Sequence, residues 1–305
     1  MSNKNDANKT LNATAPLKED VSYKGAESAK QMEIRWINAN MVEMRLPSGK
    51  TLITDPFYTP GVEGSPAAFH LPRPISIDDF DACDYIFLNH AHPDHYLNIK
   101  EFVDKFHPLI FVDSMYAAEL SRTMQIELAY IFPVEVGHSY VFPDFRLDTY
   151  HGTHNPLTGI GFGNYAFTEK LFGVKNTEPL DQYGSLFNTN FMLTFPNHFK
   201  VGFAAGTDNL NQTEAWRNNG PNLLLHQRMV YTKPEDYAAE VMQLGGQMVL
   251  PIHHETAFTI NADMGQFTDK VNEILAARGY AGRMFNPQRL KWYKVQTSIC
   301  AEAML

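Results

Sequence analysis

Tyr85-Ile86-Phe87-Leu88-Asn89-His90-Ala91-His92-Pro93-Asp94-His95 decides how this chain is read. A short apolar run, Tyr85–Leu88, has the pattern of a buried strand. It stops at four metal-capable side chains, His90, His92, Asp94 and His95. They fall between a strand and a helical pattern, at the strand's carboxyl end, where open α/β sheets place their sites. His90 and His92 are two residues apart, so an extended segment points both the same way. Asp94 and His95 lie where the chain turns toward the helix and face a second point. One metal can take the two alternate histidines and a neighbour the Asp and the last His. Imidazole and carboxylate suit zinc, manganese or iron. Three His and one Asp in so short a stretch are too dense for a loop whose histidines merely cap backbone groups.

Outward from this motif, the periodicity alternates between strand and helix. Toward the N-terminus, Ile34–Ile37, Met41–Leu46 and Thr51–Thr54 read as strands, with Pro47-Ser48-Gly49-Lys50 as a tight turn. Residues 56–78 are rich in Pro, Gly and aromatics and read as a long loop. After the motif, helical spacing covers Leu97–Phe106, a strand Leu109–Val112 and a helix Ser114–Thr123. Strands are expected at Ala129–Phe132, Ser139–Phe142, Phe145–Tyr150, Phe187–Thr194, Phe199–Ala205, Asn222–Leu225, Gln247–Ile252 and Leu290–Tyr293. Residues 151–185 have no clean period, and 156–185 is taken as a second long loop. Helices are expected from Thr232 to Leu244, with a capping box from Thr232 to Glu235, and over Asp263–Arg278. Strands then β/α units, twice over, give an α/β fold of two packed mixed sheets with helices outside: a four-layer αβ/βα sandwich. Residues 1–30 are polar and read as a tail, and 31–305 as one domain.

The bulk composition narrows the partners. A net charge of -9 argues against nucleic acid, whose phosphates draw on Lys and Arg. There is no apolar run long enough for a membrane span and no leader-type segment. Two cysteines, Cys83 and Cys300, make no disulfide framework, so a reduced, cytoplasmic setting is expected.

His-x-His-x-Asp-His after an apolar strand resembles the signature of the metallo-β-lactamase superfamily of metallohydrolases. The likeness extends from about residue 33 to 295. Ile34-Arg35-Trp36-Ile37, a hairpin and Thr54-Asp55-Pro56 look like the opening of its ascorbate-phosphate lactonase-like and phospholipase-like branch. That branch carries a Gly-His segment where this chain has Asn38-Ala39-Asn40. The resemblance implies three further ligands at the ends of later strands. The first is His154 or His151; whichever is not the ligand would orient a ligand or water. The second is Asp208, after the apolar strand ending at Ala205, bridging both metals. The third is His253 in Pro251-Ile252-His253-His254, with His254 alternatively taking the ligand role or touching substrate. Asp55 ends a strand beside the site and would hold a ligand histidine. His70 could reach the site from the first long loop, and Glu255 is a weaker supporting candidate.

The implied assembly places His90, His92 and His154 on one divalent metal and Asp94, His95 and His253 on a second, with Asp208 between them. The expected metals are two zinc ions, with manganese or iron as alternatives. Hydroxide bridging the metals would attack a small ester, lactone, amide or phosphoester, with Asp94 or Asp208 carrying the proton. Aromatics in the two long loops would either wall a pocket for a small molecule or form a homo-oligomer interface. Arg73, Lys170, Lys175, Arg217 and Arg228 are candidate anion partners. A phosphodiesterase or nuclease of the same fold, or a non-catalytic metal-binding scaffold, are the competing readings.

Overall fold

The computed structural model describes residues 32–59, 74–152, 154, 173, 175, 178–205, 216, 219–229, 232–254 and 264–295. The tail 1–30, His70, Asp208 and Glu255 lie outside the described residues, as do 60–73, most of 155–177 and 206–215.

Among the described residues, fourteen strands form two seven-stranded sheets. The first contains β1 (Met32–Asn38), β2 (Met41–Arg45), β3 (Thr51–Thr54), β4 (Tyr85–Phe87), β5 (Leu109–Asp113) and β6 (Ile131–Val134), with β14 (Tyr293–Val295) outside β1. The second contains β7 (Ser139–Val141), β8 (Arg146–Gly152), β9 (Asn188–Thr194), β10 (Lys200–Ala204), β11 (Leu223–Gln227), β12 (Met248–Ile252) and β13 (Arg283–Met284). Each sheet has three antiparallel pairings followed by three parallel ones. The two halves therefore share a strand plan.

Three apolar clusters make the layers. Trp36, Phe87, Phe111, Phe191, Phe203, Leu225 and Ile252 meet between the sheets. The outer face of the first sheet packs Ile53, Ile86 and Ile110 on α2 (Ile99–Phe106) and α3 (Ala117–Met124), joined by Leu180 of α4 (Glu178–Leu186). The outer face of the second packs Leu224 and Val249 on α5 (Pro234–Leu244) and α6 (Met264–Ala277). Alternating inward and outward residues on each strand supply both faces. The result is the expected four-layer α/β/β/α sandwich.

Several local expectations change. Residues 156–185 are not a continuous loop, because α4 begins at Glu178. The box at Thr232–Glu235 does not form: Pro234 takes the first helical position, the N-cap is Lys233, and no side chain caps it. Residues Leu128–Tyr130 are a 3-10 turn, and the strand starts at Ile131 and tolerates Pro133 because it is a sheet edge. The last strand is Tyr293–Val295, since Leu290 sits at φ +64 and cannot extend it.

Candidate metal centre

The motif residues gather where β4 leaves its sheet. Leu88 prolongs the ladder (N–H to the Phe111 carbonyl, 3.0 Å), and the Asn89 carbonyl accepts from Thr189 of β9 (2.9 Å), bridging the two sheets. Pro93 then starts a one-turn helix, α1 (Pro93–Tyr96), in labels counted along the chain. The turn separates the direction of Asp94 and His95 from that of His90 and His92.

Two trios result. His90, His92 and His154 present ring nitrogens within 4.8 Å of one another, and so do the ligand atoms of Asp94, His95 and His253. Ring centroids are 4.8 Å apart for His90–His92, 4.9 Å for His90–His154 and 4.5 Å for His92–His154. His90 and His95, one from each trio, are 3.8 Å apart. Asp94 Oδ2 lies 3.1 Å from His253 Nε2, and its Oδ1 is 3.6 Å from His95 Nε2.

The supporting contacts fix which nitrogen faces inward. His90 Nδ1 lies 2.8 Å from Asn89 Oδ1, an acceptor, so Nδ1 carries the proton and Nε2 presents its lone pair. That Nε2 is buried with no hydrogen-bond partner. His95 Nδ1 donates to Asp55 Oδ2 (2.7 Å), which frees its Nε2 in the same way. His92 donates to the backbone carbonyl of Asp181 on α4. An orphaned imidazole nitrogen among N and O donors fits a divalent cation.

Electrostatics agree with that fit. Burial, then the crowding of neighbouring histidines, holds His90 and His92 well below the usual imidazole range. Burial opposes ionisation of Asp94, but His95 and His253 outweigh it and hold its carboxyl below the usual range. His90 and His92 are thus held neutral and Asp94 ionised, the protonation states that metal ligands need.

The backbone carries strain here. Ala39 (φ +43), Asp55 (φ +35) and His253 (φ +58) occupy the left-handed region that side chains rarely adopt. The Ala39 carbonyl pins two neighbours, accepting from Trp36 Nε1 and from the His253 N–H, each at 2.9 Å. Asp55 is held by its own N–H to the Phe87 carbonyl (2.9 Å) and accepts the Asn89 N–H (2.7 Å). The structure therefore gives Asp55 a specific contact with His95, beyond an Asp-Pro turn.

Of the alternatives, His154 joins the first trio, whereas His151 is exposed on β8. His253 joins the second trio, whereas His254 packs on Trp36 with centroids 4.4 Å apart. Sequence reasoning missed Asn89, Asp181 and Gly184. A Cβ on Gly184 would come within 2.5 Å of the Ala91 carbonyl and 2.7 Å of His92 Cδ2.

Two mixed sheets face to face, helices outside and a His/Asp cluster at the strand ends define a metallo-β-lactamase-like fold. No protein-family model matches the chain, and no curated protein matches its sequence. Among solved structures it is similar to Igni18, a metallo hydrolase from the archaeon Ignicoccus hospitalis, at 14% identity and TM-score 0.61, covering 88% of this chain and 100% of that one. It is also similar to YhfI, a metallo-β-lactamase fold protein from Bacillus subtilis (9% identity, TM-score 0.51, 86% and 99% covered). A third is CmlA, a diiron β-hydroxylase from Streptomyces venezuelae (12%, TM-score 0.54, 88% of this chain and 54% of that one). At such identities the likeness is one of fold.

Proposed function

We propose that this chain is a dinuclear metal-dependent hydrolase of a small ester, lactone, amide or phosphoester. The observation that carries the reading is the pair of His/Asp trios side by side, with the His90 Nε2 lone pair buried among them. His90, His92 and His154 would hold one ion, and Asp94, His95 and His253 the other. Asp208, in the segment after β10, would lie between them. Bound there, divalent cations lower the pKa of a water to near neutrality and polarise a carbonyl or phosphoryl group.

The protein's own part is positional. Asn89 and Asp55 hold His90 and His95 in the tautomer that offers Nε2. Asp94, whose carboxyl is held ionised, would accept a proton from the attacking water and pass it to the leaving group. The donors suit zinc first and accept manganese or iron. Residues 31–305 would act as one hydrolase domain, with 1–30 as a polar tail and the substrate a small molecule. No helix among the described residues is long and apolar enough to cross a membrane.

Metal analysis of the purified protein, with hydrolysis measured across esters, lactones, amides and phosphoesters, tests this reading. It expects about two ions per chain, with hydrolysis that chelation abolishes and zinc restores. A metal-free protein whose turnover is insensitive to chelators would overturn it.

A further inference from the structure

A cationic cluster lies beside the metal centre. Arg228 follows β11, and its N–H donates to the Ile252 carbonyl (2.9 Å), so its backbone flanks His253 and His254. Its side chain is buried, with the residue 6% exposed. The guanidinium carbon lies 4.2 Å from the Phe267 ring centroid and Nη1 lies 3.4 Å from Met264 Sδ, a weak acceptor. Nε is buried with no hydrogen-bond partner, and no carboxylate among the described residues pairs with the group. Arg35, by contrast, meets Glu43 at 2.6 Å.

His254 is also 6% exposed, and its Nε2 is buried with no hydrogen-bond partner. The Arg289 guanidinium lies 4.9 Å from the centroid of the Trp36 ring that packs on His254. Burying a guanidinium without a counter-charge is costly, and a chain with net charge -9 has carboxylates to spare.

We propose that Arg228 and His254 form an oxyanion-binding site for the carboxylate or phosphate group of the substrate. A guanidinium offers the planar fork that grips an oxyanion, and the unpartnered Nε2 of His254 offers one further N–H. The assignment of that anion to a substrate rests on the hydrolase reading; the oxyanion site itself does not.

The test uses the metal-loaded full chain as wild type, R228Q, R228M and R228K, with metal content checked for each. Inorganic phosphate and acetate are titrated separately by calorimetry, and thermal shifts are recorded. Wild type binds at least one of the two, and the preferred probe tells a phosphate group from a carboxylate. R228Q and R228M, which keep the contact with Phe267, weaken that binding about tenfold to a hundredfold, and R228K less. Equal binding by wild type and R228Q at equal metal content would overturn the proposal, because the anion would then sit on the metals. So would a fall in thermal stability in R228Q and R228M with no change in anion binding, which would make Arg228 a packing residue. Anion binding that depends on Arg228 without hydrolysis of any substrate would sink the hydrolase reading and leave this site standing.

Discussion

Asp55→Asn isolates the role of a carboxylate that touches no substrate. Asp55 is fully buried, and its two oxygens accept from Asn89 N–H and from His95 Nδ1–H, each at 2.7 Å. Asparagine has the same shape, so no cavity forms, but it carries one acceptor and one donor. If its oxygen keeps Asn89, its amino group faces the His95 Nδ1–H. The ring must then move its proton to Nε2, which removes a metal ligand. If its oxygen keeps His95, the Asn89 N–H is orphaned in the interior at a cost of about 1–3 kcal/mol. Loss of the charge also weakens whichever bond survives. One term runs the other way: burial raises the Asp55 pKa, so neutralising it recovers some desolvation. The net expectation is about 1–2 kcal/mol of stability and about a tenfold to hundredfold loss of affinity at the site built on His95. Chelator-competition titration gives the affinity and urea unfolding the stability. Wild-type affinity for both ions in D55N would refute the claim that Asp55 sets the His95 tautomer.

Three further expectations follow from the same contacts. Gly184→Ala drives a methyl into Ala91 and His92, so it should cost about 1–3 kcal/mol of stability and weaken metal binding, both read from melting curves with and without zinc. A Gly184→Ala protein with unchanged melting and metal affinity would mean α4 does not clamp the motif. Metal-free protein should be acid-labile. His90, His92 and His254 bind protons less readily folded than unfolded, so stability is full above the unfolded value near 6.5 and falls as pH drops below it. The slope is up to about 1.4 kcal/mol per pH unit for each histidine, measured as the urea midpoint at pH 7 and 5.5, and a flat profile would count against it. His92→Ala and Asp208→Ala should each lose metal and turnover together, by metal analysis and a hydrolysis assay. Retention of both would misplace the site.

Much of this was legible before any coordinates. Tyr85–Leu88 is a short apolar run and Thr51–Thr54 a β-branched one, both strand patterns, and the spacing of His90, His92, Asp94 and His95 gives two facings. Spacing from Phe145 favoured His154 over His151, and the structure sets His154 beside His90 and His92 while His151 is exposed on β8. Helix α4 stayed hidden because Pro179 and Gly184 blur its period, yet Gly184 is what lets it touch the motif. The box at Thr232 was misread because Pro234 competes for the same helix start and prevails. Asp55 was expected to hold a ligand histidine from its place after Thr54, but which histidine was not; Asn89 carries no motif, and both pairings depend on the fold.

The central claim is that two trios hold two ions. A crystal structure of metal-loaded protein with anomalous diffraction at the metal edges tests it most directly. Two peaks about 3.5–4 Å apart are expected, one bound by His90, His92 and His154 and the other by Asp94, His95 and His253. A single peak, or a peak bound by His151 or His254, would contradict it.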